Sequence, residues 1–270
     1  MGKTYASADW HGCGKLAFNV IEYLKPDDKL YFLGDAIDRG SDGIKIMNKL
    51  LTDPRVVYLK GNHEEIMANA IPDALERGIA TYEGMLWMQN GGWQTWGDLE
   101  YRSDESKMWY VHKIHNMPTE VIYTSPAGHT VILEHAGFSP FVKSNRKHNP
   151  LWDREHFYDE WFGGNDYKGL DPEKTYLMHG HTPVQYLNYD YGYRGQEVKK
   201  DKDFFKAKSS FIADIDVEDF CPKPEVIRYC DGHKFDIDMC TISSERIALI
   251  DLDTFEIKYF DKASEIYENN

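Results

Sequence analysis

Short apolar runs that end in polar, glycine-containing turns open the chain. They cover residues 4–8, 30–33 and 56–59, and each is followed by apolar residues at helical spacing. The helical positions are Leu16, Val20, Ile21 and Leu24, then Ile44, Met47, Leu50 and Leu51, then Ile66, Met67, Ala70 and Ile71. This alternation predicts parallel strands joined by helices. Because ligands of such sheets bind where the strands end, the polar turns are candidate sites.

The pattern loosens from about residue 72 to 128, where we expect helices and loops that cross the sheet. Apolar runs at 130–133 and 175–178 predict two more strands, and KFDIDMCTI, RIALIDLDT and EIKYF predict a return to strands near the end. Residues 186–234 are long, irregular, charged and rich in tyrosine. We therefore predict one domain over residues 1–270, with insertions at about 72–128 and 186–234.

Composition and charge narrow the class of protein. A chain of 270 residues with 41% hydrophobic content is long enough for a large core. The four scattered cysteines are typical of reduced thiols. A net charge of -14 argues against nucleic acid or an anionic membrane as a partner. No apolar run approaches the ~20 residues of a membrane helix, and the start lacks an apolar signal core. We expect a cytoplasmic protein.

Polar groups follow five of the predicted strands. In order, the strand ends carry Asp9 and His11; Asp35, Asp38 and Arg39; Asn62 and His63; His135; and His181. Any one of these alone has an ordinary structural reading, such as a helix cap for Asp35. Together they supply the oxygen and imidazole ligands that divalent metals take, including a carboxylate able to bridge two ions ~3.5–4 Å apart. The set predicts a two-metal centre, and metal ions would let an acidic protein bind phosphate.

Five motifs carry a family resemblance: DWHG, GDAIDRG, GNHE, HAG and GHTP, in this order. They resemble the phosphoprotein phosphatase family of calcineurin-like metallophosphoesterases. The similarity is greatest to its bacterial and phage branch, which includes the lambda-type phosphatases and the symmetrical diadenosine tetraphosphatases. Three further segments also resemble that branch: NGGWQTW, LWDRE and IALIDLDT. The resemblance implies an α/β (α+β) fold, a four-layer sandwich of two mixed sheets flanked by helices. Ala8 stands where the family usually has glycine.

The resemblance also implies roles for individual residues. The implied metal ligands are Asp9 and His11 for the first ion, Asp35 for both ions, and Asn62, His135 and His181 for the second ion. The implied general acid is His63, and Asp38 is implied to fix the His63 ring. Arg39 and Arg154 are implied to bind the phosphate oxygens as forks. Asn62 and His63 are implied to contact the phosphate as well. Two divalent ions are expected, manganese first, with iron, zinc or nickel also compatible with these ligands.

The chemistry explains why these residue types are needed. A phosphate monoester repels nucleophiles by its charge, and two metals neutralise that charge and acidify a bridging water. The resemblance implies that the resulting hydroxide attacks in line. A leaving alkoxide needs a proton, which a histidine outside the metal shell would supply. Planar guanidinium groups match phosphate oxygens better than lysine does.

Three functions stay open at this point. The first is a serine/threonine protein phosphatase, with phosphotyrosine as a secondary substrate. The second is a diadenosine tetraphosphate hydrolase, which HAG favours slightly because it occurs in the dinucleotide-cleaving relatives. The third is a non-catalytic scaffold of the same fold. The intact set of predicted metal ligands argues against this alternative. The expected partner is a phosphoprotein or a phosphorylated small molecule, with the oligomeric state open.

The remaining histidines and tryptophans are expected to be structural. This group comprises His112, His115, His129, His148, His156 and His233 as surface or packing residues, and Trp87, Trp93 and Trp96 as core residues. Strand alternation points His179 away from the face that carries His181. Asp236 and Asp238 are interpreted as structural support.

Overall fold

The first half of the chain builds alternating strands and helices. The computed structural model describes residues 2–144, 147–185 and 223–261. Its first elements are β1 (Thr4–Ser7), α1 (Gly14–Tyr23), β2 (Lys29–Phe32), α2 (Gly43–Thr52), β3 (Val56–Tyr58) and α3 (Asn62–Arg77). β1 pairs in parallel with β2, and β2 pairs in parallel with β3. The predicted parallel start is confirmed.

Later elements are shorter and more varied. They are α4 (Tyr82–Gln89), α5 (Trp93–Leu99), α6 (Asp104–His115), β4 (Glu120–Thr124), β5 (Thr130–Glu134), a 3-10 helix (Glu155–Tyr158), β6 (Thr175–His179), β7 (Ile227–Tyr229), β8 (Lys234–Asp236), α7 (Thr241–Ser244), β9 (Arg246–Asp251) and β10 (Ile257–Asp261). The predicted strands at 130–133 and 175–178 and the three late strands are present, whereas β4 and β7 were not predicted.

Ten strands form two mixed sheets of five strands each. One sheet has the order β10-β9-β1-β2-β3 and the other the order β4-β5-β6-β8-β7. Strand β9 runs antiparallel to β1, and β4 and β7 run antiparallel to their neighbours β5 and β8. Seven α-helices flank the sheets in the described part of the chain. The predicted sandwich of two mixed sheets is confirmed.

Both faces of the sheets are buried. Side chains that alternate along β5 show this, because Val131 and Leu133 pack between the two sheets while Ile132 packs on the outer face. The first sheet buries its outer face against α1, α2, α3 and α6. On the outer face of the second sheet, Ile132 and Leu177 meet Phe138, Phe141 and Trp161 from the connecting chain. Burial on two faces explains the continuous apolar runs of the parallel strands.

The ends of the parallel strands of both sheets meet at one edge. The Gly180 amide at the end of β6 donates to the His135 carbonyl at the end of β5, at 2.8 Å. The amide of His181 donates in turn to the Asp9 carboxylate of the first sheet, at 3.2 Å. The Asp9 amide donates to the Gly34 carbonyl, and the His63 amide donates to the Asp35 carboxylate, both at 3.0 Å. All five turns singled out in the sequence therefore converge.

Two sequence predictions reach beyond the described residues. Most of the predicted insertion at 186–234 lies outside them, and the extent of the single domain stays a prediction. The predicted insertion at 72–128 contains α4, α5, α6 and β4. Within the ranges given above, none of the helices combines the length and the apolar character that crossing a membrane requires.

Candidate metal centre

The strand-end turns adopt an unusual backbone. Six residues with side chains have left-handed φ there: Asp9 (56°), His11 (41°), Asp35 (61°), Asp38 (69°), Arg39 (66°) and His181 (69°). Such conformations are uncommon outside glycine and cost about 1–3 kcal/mol each. Backbone hydrogen bonds join the first two turns. The Asp9 amide donates to the Gly34 carbonyl and the His11 amide donates to the Asp35 carbonyl, both at 3.0 Å. The side chains are thereby aimed inwards from the strand ends.

Asp35 lies at the centre of the cluster. One carboxylate oxygen is 3.7 Å from His11 Nε2, and the other is 3.6 Å from His135 Nε2. Burial raises the pKa of Asp35, but His135, His63 and His11 outweigh burial, and the pKa lies below its usual range. Asp35 thus stands between two groups of imidazoles, at the position where the sequence predicts a bridging carboxylate.

Backbone carbonyls set the orientation of two imidazoles. His11 Nδ1 faces the Ile37 carbonyl at 3.1 Å, and His135 Nδ1 faces the Leu33 carbonyl at 2.8 Å. A carbonyl only accepts, so each Nδ1 carries the proton and each Nε2 carries a lone pair. Histidine ligands of metals are commonly oriented in this way.

Asn62 joins the second group of ligands. Its Oδ1 lies 2.9 Å from His135 Nε2 and 2.9 Å from His181 Nδ1. The His135 nitrogen and the Asn62 oxygen both offer lone pairs, and two such atoms repel each other unless a cation lies against them. His181 Nε2 is buried and has no hydrogen-bond partner among the described residues. This donor set fits a divalent metal.

Acidic groups are packed tightly around the centre. Burial, Asp238 and Asp35 raise the pKa of Asp9 well above its usual range. A Cβ on Gly180 would lie 1.9 Å from an Asp9 oxygen, and one on Gly61 would lie 2.1 Å from an Asp35 oxygen. Glycine is therefore required where these backbones approach the carboxylates.

Two sets of buried side chains bring possible ligand atoms within 4.8 Å of one another. One set is Asp9, Asp35 and His135, and the other is His11, Asp35 and His63. The second includes His63, which the sequence analysis placed outside the metal shell as the general acid. That separate role stays a prediction.

His63 is fixed through Asp38. His63 Nδ1 lies 2.8 Å from Asp38 Oδ2, and burial, which lowers the His63 pKa, is outweighed by the nearby carboxylates of Asp35 and Asp38. The Asp38 carboxylate also accepts hydrogen bonds from Thr95 Oγ1 at 2.7 Å and from Trp87 Nε1 at 3.0 Å. Thr95 and Trp87 were not predicted to bind Asp38, although the NGGWQTW segment carries Thr95.

Two arginines reach the centre from the surface. The exposed Arg39 donates through Nη1 to His11 Nε2 at 2.8 Å and through Nη2 to His63 Nε2 at 3.0 Å. The exposed Arg154 donates to Thr182 Oγ1 at 3.2 Å and to the His181 carbonyl at 3.4 Å. Both arginines predicted to bind phosphate therefore adjoin the buried ligands.

Glu64 is a residue that the sequence analysis did not single out. Its carboxylate accepts hydrogen bonds from four donors: the amides of Asp35 (2.8 Å), Ala36 (2.9 Å) and Gly61 (2.9 Å), and the hydroxyl of Tyr58 (2.7 Å). The signal was available, because a glutamate three residues after a helix N-cap is typical of a capping box. Here Glu64 ties the turn after β2 to the turn after β3.

Several side chains that were predicted to be structural are buried, and one tryptophan predicted to be in the core is exposed. Trp87 is fully buried, but Trp93 is 59% exposed, and its prediction as a core residue is wrong. Thr95 and Leu99, four residues apart on α5, face inwards, and Trp93 lies on the opposite face of the helix. His156 and His179 are buried beneath the centre. Asp236 and Asp238 are buried as well.

Comparison with known proteins agrees with this centre. The family model of the calcineurin-like phosphoesterases matches residues 2–234, so the chain belongs to that family. Its members are metal-dependent phosphoesterases, which supports phosphoester hydrolysis as the broad class of reaction. No curated protein gives a significant match.

Two solved structures illustrate the shared fold. A candidate diadenosine tetraphosphatase is 14% identical with a TM-score of 0.53, over 96% of this chain and 93% of the other. A serine/threonine phosphatase of Saccharomyces cerevisiae, similar to human phosphatase PP5, is 13% identical with a TM-score of 0.50, over 96% and 80%. At these identities the likeness shows the fold alone.

Proposed function

We propose that the chain is a dinuclear-metal-dependent phosphomonoester hydrolase acting as a serine/threonine protein phosphatase. The observation that carries the proposal is the exposed Arg39 guanidinium lying over His11 and His63, at the mouth of a buried carboxylate and imidazole cluster. Such a site offers buried ligands for cations and a surface fork for phosphate. A phosphoprotein partner and a cytoplasmic location are part of the proposal.

The same residues define where the ions would be held. Asp9, His11 and Asp35 would hold the first ion, and Asp35, Asn62, His135 and His181 would hold the second. When bound, the ions neutralise phosphate charge and acidify the attacking water. Manganese is the proposed ion, because its preferences cover carboxylate, amide and imidazole ligands; iron, zinc and nickel are compatible.

The protein's own groups would position the phosphate. Arg39 donates to two imidazole nitrogens at 2.8 and 3.0 Å, and the charged oxygens of a phosphate are stronger acceptors than neutral imidazole. A bound phosphate would therefore draw the Arg39 fork onto its oxygens. Arg154, beside His181, would hold the phosphate from the second-ion side.

His63 would give the leaving oxygen its proton. Asp38 accepts from Nδ1, so Nε2 is the atom that faces the centre. The Asp38 carboxylate stabilises the protonated ring, which is the form that a general acid needs. Asp38 does not need to exchange a proton itself.

A second candidate is the hydrolysis of diadenosine tetraphosphate. The observation that favours it is the sequence HAG at 135–137, together with the shared fold of a candidate diadenosine tetraphosphatase. Both reactions would use the same metal centre and differ in the group attached to the phosphate.

A side-by-side assay tests the proposal. The kcat/KM of manganese-loaded protein is measured with a phosphoserine peptide and with diadenosine tetraphosphate, following phosphate and ADP respectively. Faster turnover of the peptide supports the protein phosphatase, and faster formation of ADP supports the second candidate. Two bound ions without turnover of either substrate would contradict both and support the scaffold alternative. Asn62→Ala should abolish the activity, and hydrolysis that survives this change would contradict the assigned centre.

A further inference from the structure

Beneath the metal centre lies a buried cluster of three side chains, His156, Tyr229 and His179, which we call the His–Tyr–His cluster. The Tyr229 hydroxyl lies 2.7 Å from His179 Nε2 and 3.3 Å from His156 Nδ1. The two imidazole rings are 4.8 Å apart and nearly perpendicular. None of the three is more than 4% exposed, so the cluster does not face substrate.

Each histidine of the cluster holds the backbone beside a proposed ligand of the second ion. His156 Nε2 lies 3.0 Å from the carbonyl of Ala136, the residue after His135. His179 Nδ1 lies 3.0 Å from the carbonyl of Gly180, the residue before His181. The cluster therefore contacts both turns that carry the imidazoles of the second group.

The proton positions follow from these contacts. Carbonyl oxygens only accept, so His156 Nε2 and His179 Nδ1 both carry hydrogen. The other nitrogen of each ring then accepts, and Tyr229 has a single proton to give. The 2.7 Å contact assigns that proton to His179. Removing the hydroxyl would leave a buried acceptor without a partner, which is costly.

The turn that follows His135 lies directly against both rings. Gly137 has a φ of +83°, and a Cβ there would lie 2.8 Å from His179 Cγ and 3.0 Å from His156 Cε1. The Gly180 amide also donates to the His135 carbonyl at 2.8 Å, which ties the two turns together. A change in the tilt of either ring must therefore move the turn.

We propose that the His–Tyr–His cluster positions His135 and His181, and that the Tyr229 hydroxyl thereby sets the affinity for the second ion without contacting it. The inference rests on the proposed function, which makes these two histidines ligands. Groups that orient metal-binding residues commonly change metal affinity about 10–100-fold when removed.

The test is a manganese titration of metal-free protein by calorimetry and electron paramagnetic resonance. Tyr229→Phe keeps the ring and removes the hydroxyl, and we expect the second ion to bind about 10–100-fold more weakly with the first unchanged. Tyr110→Phe is the matched control: Tyr110 is 3% exposed, and its hydroxyl donates to Asn48 Oδ1 at 3.0 Å on another part of the fold. This control should bind both ions as the unaltered protein does.

Equal affinities in Tyr229→Phe and the unaltered protein, or equal losses in both tyrosine variants, would overturn the inference and leave the proposed function intact. Failure of the unaltered protein to bind two ions would instead overturn the proposed function. A second pair of variants tests the inference if Tyr229→Phe fails to fold. His156→Gln keeps an amide nitrogen able to reach the Ala136 carbonyl, and His156→Leu does not. If His156→Gln keeps the affinity for the second ion and His156→Leu loses it, the positioning role of the cluster is supported. Equal affinities for the second ion in these two variants oppose that role.

Discussion

Asp38 Oδ2 lies 2.8 Å from His63 Nδ1, and this pair is buried. The Asp38 carboxylate is itself held by Thr95 and Trp87. Its position is therefore set by α4 and α5, which lie in the segment that the sequence analysis treated as an insertion. The orientation of the His63 ring consequently depends on helices that carry none of the proposed metal ligands.

His63→Ala should lower kcat/KM about 10²–10⁴-fold for an alkyl phosphate, whose leaving group needs a proton. The loss should be far smaller for p-nitrophenyl phosphate, since p-nitrophenolate leaves without one. Steady-state kinetics on both substrates measures the difference. His112→Ala, at an exposed histidine of α6, serves as the control and should change neither value. Equal losses on the two substrates would remove the general-acid role.

Glu64→Gln should destabilise the metal-free protein by about 1–3 kcal/mol or more, because an amide group would replace an oxygen that accepts from buried donors. Urea unfolding measures the change in the free energy of unfolding. Glu76→Gln changes an exposed glutamate of the same helix and should have an effect within about 0.5 kcal/mol. Similar stabilities for the two variants would show that the four hydrogen bonds to Glu64 contribute little.

Gly180→Ala should weaken binding of the first ion, because the added Cβ would lie 1.9 Å from an Asp9 oxygen. Manganese stoichiometry and affinity, measured on folded protein, give the readout. Gly97→Ala is the matched control, since a Cβ at Gly97 meets nothing within 4 Å and lies within a helix. That control should keep metal binding and gain about 0.5–1 kcal/mol. Normal first-ion affinity in Gly180→Ala would contradict the requirement for glycine beside the Asp9 carboxylate.

The stability contribution of His148 should depend on pH. Burial lowers its pKa, but Asp153 and Glu134 outweigh burial and raise the pKa to about 9. In the unfolded chain the pKa is about 6.5. The contribution is therefore complete below about pH 6.5 and is lost as the pH rises through about 9. Urea unfolding of the unaltered protein and of His148→Gln should differ at pH 6 and converge near pH 10. A difference that stays constant over this range would contradict the raised pKa.

Much of the centre could be predicted because its residues follow apolar strands in a fixed order. Once β1, β2 and β3 are parallel, Asp9, Asp35 and Asn62 must lie at one edge. Strand β4 escaped prediction because it is a half-buried edge strand with little alternation. Strand β7 has three residues and depends on pairing with β8.

Residues that act on the backbone could not be predicted from the sequence. Tyr229 and His156 are 73 positions apart, and no local pattern relates them. Thr95 binds Asp38 across 57 positions, through a helix whose facing residues depend on tertiary packing. Sequence patterns identify side chains of the right chemistry, whereas the groups that orient them depend on how distant turns pack.

The left-handed backbone of the strand ends has an evolutionary consequence. Arg39, at a φ of 66°, adopts a conformation that glycine adopts freely. Glycine at this position would relieve backbone strain and would remove the guanidinium that we propose binds phosphate. In a lineage that is no longer under selection for activity, replacing these left-handed residues with glycine would therefore increase stability. In duplicated copies of the gene, we expect glycine at these strand-end positions where the proposed activity has been lost.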